Sequence, residues 1–332
     1  MKNIGCFTAM VTPFNDQGAI EWEGLNQNIL FQIQEGIRGL VPAGTTGESP
    51  TLTPMEHSNV IARMASLGGE DIFIMAGTGS NSTREMLKYG EAAQAVGCNG
   101  LLLVDCYYNG PSSLELREEY YRPAAEKFPD LIICPYVIPG RTGCALLPED
   151  LEILARRYPN VGAVKEATGD LERMRETRRI MPDWFHIISG DDDLTFEIMT
   201  DEQIRAAGVI SVISNVAPGA LKEMCDCILK GEINRAREIK GALEPLFGMV
   251  TVICGRHKFR NPVPIKTMMK GLGMPAGGCR QPLGRMVPEG VEKVRNAVRD
   301  VWENNPWILQ PIEDFYGVDI AERLENEANW PR

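Results

Sequence analysis

Eight short, nearly uninterrupted apolar runs recur along this chain, each separated from the next by a longer amphipathic stretch. They are IGCFTAMV from Ile4, GLVPAG from Gly39, DIFIMAG from Asp71, GLLLVDC from Gly100, LIICPYVI from Leu131, VGAVKEA from Val161, HIISG from His186 and GVISVIS from Gly208. A strand with one wet face alternates apolar and polar residues, whereas runs this continuous suit strands covered on both faces, as in a parallel sheet. The intervening segments carry helix signals. In Thr53-Pro54-Met55-Glu56, Thr53 can cap, Pro54 can open the helix and Glu56 can bond back to the cap. Leu221, Met224, Cys225, Ile228 and Leu229 form a helical stripe after the eighth run. Eight strand-helix units predict an α/β fold of the TIM (β/α)8 barrel type.

After Gly231 the pattern turns helical, with no convincing strand. The expected division is a catalytic barrel over 1–231, C-terminal helices over 232–303 and a C-terminal extension over 304–332, whose Trp and Phe residues suggest that it docks on something. The charged run LERMRETRR from Leu171 reads as a solvated helix face.

A net charge of -11 argues against nucleic acid and acidic membrane surfaces as partners, because the summed field repels polyanions. A small anionic substrate would then need cations supplied locally. The nine cysteines include no C-x-x-C pair, which suggests reduced thiols. No stretch reaches the roughly 18 apolar residues of a membrane span, and the N-terminus lacks a secretory pattern. A cytoplasmic protein is expected.

Active sites of such barrels lie at the C-terminal ends of the strands. There the sixth run ends in Val164-Lys165-Glu166. A lysine closing a buried strand must either pair with an acid, such as Glu166, or serve chemistry, since desolvation favours the neutral amine that attacks a carbonyl. Position alone leaves both readings open. The turn Gly44-Thr45-Thr46-Gly47-Glu48 offers backbone amides and hydroxyls suited to a carboxylate, or is an ordinary glycine turn. Tyr136 could move protons, Arg141 could grip a second carboxylate, and Tyr107 and Tyr108 add phenols after the fourth run. Asp191, Asp192 and Asp193 raise the prospect of a metal-dependent aldolase, but the three histidines have no paired ligand spacing and the acids read better as caps or structural partners.

Six stretches together, GTTGE at 44–48, YYNGPS at 107–112, YVIPGRTG at 136–143, VKEATGD at 164–170, SGDDD at 189–193 and GVISVISNVAP at 208–218, resemble the dihydrodipicolinate synthase and N-acetylneuraminate lyase family in order and spacing. The resemblance covers about residues 4 to 295. It implies that Lys165 forms a Schiff base with pyruvate, that Tyr136 stands beside it, and that Thr46 and Tyr108 complete a proton relay. Thr45 and Thr46 would hold the pyruvate carboxylate. Tyr107, or its neighbour, would reach across a subunit interface in a homotetramer made of two dimers. A residue among Ile210 to Ile213, with Ile210 the first choice, would floor the site. Neither metal nor organic cofactor is implied.

Within the family, the Arg-Thr-Gly at Arg141 favours condensation of pyruvate with aspartate semialdehyde, in lysine and diaminopimelate biosynthesis, over a sugar-acid lyase or keto-deoxy sugar-acid dehydratase. Ser49, His57, Asn81, Glu85 and Tyr107 align with the family's lysine effector site, yet Pro54 replaces its basic position, so weak or absent lysine inhibition is expected. Two departures stand out. Val137 replaces a common asparagine, and Lys258-Phe259-Arg260 stands where an acid and a proline are more usual.

Overall fold

The computed structural model describes residues 4–330. Eight parallel strands, β1 (Gly5–Ala9), β2 (Gly39–Val41), β3 (Phe73–Gly77), β4 (Gly100–Val104), β5 (Ile132–Val137), β6 (Ala163–Glu166), β7 (His186–Ser189) and β8 (Gly208–Ser211), pair in sequence order. β8 then pairs with β1 to close the barrel. Each predicted apolar run contains one of these strands. Successive side chains on a strand point to opposite faces, so every run serves two cores. Phe7, Val41, Met75, Leu102, Cys134, Ala163, Ile188 and Ile210 fill the barrel. Their sequence neighbours Cys6, Leu40, Ile74, Leu101, Ile133, Val164, Ile187 and Val209 pack outward against the helices.

The helix signals form as expected in most places. Thr53 Oγ1 accepts from the Glu56 amide at 3.3 Å and Glu56 Oε2 accepts from the Thr53 amide at 2.9 Å, opening the Pro54–Gly68 helix. In the Pro218–Lys230 helix, Leu221, Met224, Cys225 and Ile228 are buried but Leu229 is exposed, because the stripe is narrower than the apolar residues alone suggest. The Leu171–Ile180 helix does present Arg175 and Arg179 to solvent, where they pair with Glu172 and Glu176. Arg173, on its inner face, turns in to Glu166.

The C-terminal region differs from an all-helical appendage. The Ile233–Phe247 helix is followed by an antiparallel hairpin, β9 (Thr251–Cys254) and β10 (His257–Arg260), before the Val263–Gly271 and Pro288–Asn304 helices. Gly255, at φ +54, turns the hairpin. The extension docks on its own chain. Phe315 and Tyr316 pack on Phe31, Tyr316 Oη donates to Asn28 Oδ1 at 2.8 Å, and the Trp330 ring covers Gly271. Among the described residues, no helix is long and apolar enough to cross a membrane.

Candidate active site

Tyr136 on β5 and Lys165 on β6 are register partners on adjacent strands. The two-residue period points both into the barrel mouth, and Lys165 Nζ lies 4.3 Å from the centre of the Tyr136 ring. Lys165 is only 5% exposed. The same period sends Glu166 outward, where its Oε1 meets Arg173 Nε at 3.1 Å and its Oε2 accepts from Thr168 Oγ1 at 3.2 Å. Glu166 is therefore not the partner of Lys165. Among the described residues no ion pair engages Lys165, which lies against the Tyr136 ring with the charge of Asp191 acting on it across the same cavity.

Lys165 opens into a cavity of about 320 Å³ at the C-terminal ends of the strands. Thr45, Thr46, Tyr136, Arg141, Asp191, Val212, Lys258, Arg260 and Asn261 also line it. The two threonines differ in surroundings. Thr46 is buried and its Oγ1 accepts from Asn261 Nδ2 at 2.9 Å, whereas Thr45 is half-buried and also lines an adjoining cavity of about 230 Å³. The turn that carries them achieves its shape differently from the glycine reading. Ala43 and Glu48 take the left-handed conformation, at φ +51 and +58. Gly47 is needed for close approach instead: a Cβ there would stand 3.1 Å from the Met10 carbonyl oxygen.

Arg141 sits where both cavities meet. Its Nη2 donates to the Asn261 carbonyl at 3.0 Å. Desolvation pushes its guanidinium down, Tyr136 opposes this, and the charge of Arg260 adds to it. Asp191 is the one acid lining the larger cavity, and burial, reinforced by Asp193, pushes its carboxyl up to about 6. Asp192 is a structural partner: it accepts from Ser211 Oγ and from the Val212 amide at 2.9 Å, fixing the end of β8. Ile210 belongs to the barrel interior. Two residues further on toward the mouth, Val212 supplies the wall of the cavity.

Tyr107 and Tyr108 part company. Tyr107 is half-buried and lines the smaller cavity with Ser49, while Tyr108 is 89% exposed at φ +78 and lines neither. Within one chain, Tyr108 is therefore not assembled with Tyr136. The remaining residues of the expected effector cluster border Tyr107: the Asn81 backbone and the Glu85 carboxylate both act on its phenol, and Glu85 acts on His57 as well. Asn81 and Glu85 are exposed, and Glu85 accepts from Ser80 Oγ. His57 is buried, stacked on Tyr89 at 4.0 Å, with Nε2 2.9 Å from the Gly77 carbonyl, so it supports that wall from behind.

Glu48 and Lys266 were not singled out by sequence reasoning. Lys266 Nζ donates to Glu48 Oε1 at 2.5 Å and to the Gly278 carbonyl at 2.9 Å, both side chains being buried. This ties the threonine turn to the C-terminal helices. The signal available was Lys266 itself, set among apolar residues in PVPIKTMMKGLGM, whose second lysine, Lys270, is exposed.

The sequence of residues 2–301 matches the model of the dihydrodipicolinate synthetase family. The chain belongs to that family. A 4-hydroxy-tetrahydrodipicolinate synthase of Methanococcus vannielii is 39% identical over 294 residues, covering 89% of this chain and 97% of the relative. The solved 4-hydroxy-tetrahydrodipicolinate synthase of Methylacidiphilum fumariolicum superposes with a TM-score of 0.85 at 34% identity, over 95% of this chain and 99% of that one. A dihydrodipicolinate synthase of Acinetobacter baumannii, solved with pyruvate, gives a TM-score of 0.83 at 33% identity, over 90% of this chain and 99% of that one. The extension, 304–332, lies beyond the residues matched to the dihydrodipicolinate synthetase family, in keeping with its separate docking on the outer surface of the barrel.

Proposed function

We propose that this chain condenses pyruvate with aspartate semialdehyde to give 4-hydroxy-tetrahydrodipicolinate, through a Schiff base at Lys165. The observation that carries the reading is a buried lysine without an ion pair, set against a tyrosine ring in a cavity that also holds Arg141. The neutral amine of Lys165 attacks the ketone carbon of pyruvate. The phenol of Tyr136 delivers the proton with which the carbinolamine hydroxyl leaves as water. The resulting iminium accepts the electron pair of a methyl C–H bond as that proton departs, and the enamine carbon attacks the aldehyde. The amine of the semialdehyde then adds to the imine carbon, closing the ring and expelling Lys165. Thr45 and Thr46 hold the pyruvate carboxylate and Arg141 the carboxylate of the semialdehyde.

Thr45, which opens to both cavities, is the better placed of the two threonines to pass a proton from Tyr136 toward the outside. The exposed Tyr108 completes the relay from a second copy, in a cytoplasmic homotetramer of two dimers. In this reading a lysine effector would sit among Ser49, His57, Asn81, Glu85 and Tyr107, with inhibition weak because Pro54 supplies no charge.

Borohydride reduction in the presence of pyruvate should add one reduced pyruvyl group at Lys165, and Lys165→Ala should abolish the addition. Labelling at another lysine refutes the mechanism. Turnover of pyruvate with aspartate semialdehyde, set against cleavage of N-acetylneuraminate, then tests the acceptor.

A further inference from the structure

The β9–β10 hairpin has the register Lys258 opposite Ile253, Phe259 opposite Val252 and Arg260 opposite Thr251. In such a ribbon, alternate residues share a face. Val252 and Cys254 are buried and Phe259 is partly buried, facing the Pro288–Asn304 helix, where a Cβ on Gly290 would come 3.2 Å from Cys254 Sγ. Lys258 and Arg260 consequently point the other way, and both line the cavity that contains Lys165.

Two hydrogen bonds cross between the hairpin end and the turn after β5. Arg260 Nη1 donates to the Gly140 carbonyl at 3.0 Å, and Arg141 Nη2 donates to the Asn261 carbonyl at 3.0 Å. They set two guanidinium groups side by side at one wall of the cavity. Lys258 makes no hydrogen bond or ion pair among the described residues. Like charges held together are destabilising unless an anion joins them, and Asp191 is the one acid in the lining. In a chain of net charge -11, this concentration of cations is a local reversal of the field.

We infer that Lys258 and Arg260 form, with Arg141, a carboxylate subsite that selects the acceptor aldehyde, an inference that rests on the Schiff-base reading above. The ligand class is a small aldehyde bearing a carboxylate. Arg141 and Arg260 present a paired fork to that carboxylate, and Lys258 supplies a third charge from the open side, assisting capture. Pyruvate, bound deeper by the threonine turn, does not depend on it.

The test uses full-length Lys258→Met and Lys258→Glu, assayed with pyruvate and aspartate semialdehyde at two ionic strengths alongside borohydride trapping of pyruvate. The expected result for Lys258→Met is a KM for the semialdehyde raised about tenfold, the loss of one partly screened charge-assisted contact. Lys258→Glu should raise it further, and kcat and pyruvate trapping should stay as in the wild type. The salt dependence of that KM should shrink in Lys258→Met. An unchanged semialdehyde KM in both variants, with trapping intact, overturns the subsite and leaves the Schiff base standing. A wild type that fails to trap pyruvate overturns the Schiff-base reading, and the subsite with it.

Discussion

Replacing Lys266 with Met should destabilise the protein by about 3–5 kcal/mol, the usual cost of leaving one member of a buried ion pair without its partner. Both side chains are about 2% exposed or less, and their contact is 2.5 Å. Burial pushes the Lys266 ammonium down even with Glu48 beside it, so the pair does not fully recover its own desolvation. It follows that Glu48→Gln with Lys266→Met together should cost much less than Lys266→Met alone. In the single variant, Glu48 Oε2 still accepts from the Arg280 amide at 2.8 Å, but Oε1 loses its cation. Glu48 also sits in the left-handed conformation, which a non-glycine residue adopts only when its surroundings hold it there. Release of Glu48 should therefore loosen Thr45 and Thr46 and raise the KM for pyruvate more than it lowers kcat. Urea denaturation of the two single variants and the double variant gives the coupling directly. A Lys266→Met loss below about 1 kcal/mol, or strict additivity in the double variant, refutes the reasoning.

His57 should make the fold acid-sensitive. Burial pushes its imidazole down to about 4 from an ordinary 6.5, so the unfolded chain takes up that proton first as the pH falls. Its contribution is fully retained above pH 6.5 and is lost toward pH 4, amounting to about 2 kcal/mol by pH 5. Urea midpoints for His57→Gln should accordingly fall less between pH 7 and pH 5 than those of the wild type, and parallel curves would remove His57 from the explanation. Gly271→Ala should dislodge the extension, because the new Cβ would stand 2.4 Å from the Trp330 ring. The expected cost is about 1–3 kcal/mol, and limited proteolysis should release the C-terminal segment faster than from the wild type. Equal cleavage rates would show that the docking is not limited by this contact.

Strand number, order and closure were legible because a two-sided parallel barrel leaves an unmistakable mark, apolar residues at consecutive positions rather than alternate ones. Lys165, Tyr136, Arg141 and the threonine turn were legible because polar residues ending such runs are conspicuous. The hairpin was not. His257, Lys258 and Arg260 are polar and only one of its faces is buried, so its short strands resemble a loop in sequence. Leu229 misled for a related reason, since apolar spacing marks a helix face without saying how much of it is covered.

From the sequence alone, periodicity determines the barrel and the presence of an amine at the mouth of its sixth strand, since both follow from local pattern and from strand order. Whether Lys165 pairs with Glu166 was a question of direction, answered by the strand's alternation once its register was known: Glu166 goes out to Arg173 and Lys165 in to Tyr136. Tertiary structure alone decided which distant residues join them. Asn261 bonds Thr46, Lys266 holds Glu48, and Lys258 and Arg260 come to stand over the same cavity as Arg141. These partners lie about 120 residues or more apart along the chain. No short-range pattern encodes such meetings, because they depend on how the C-terminal segments fold back across the open end of the barrel.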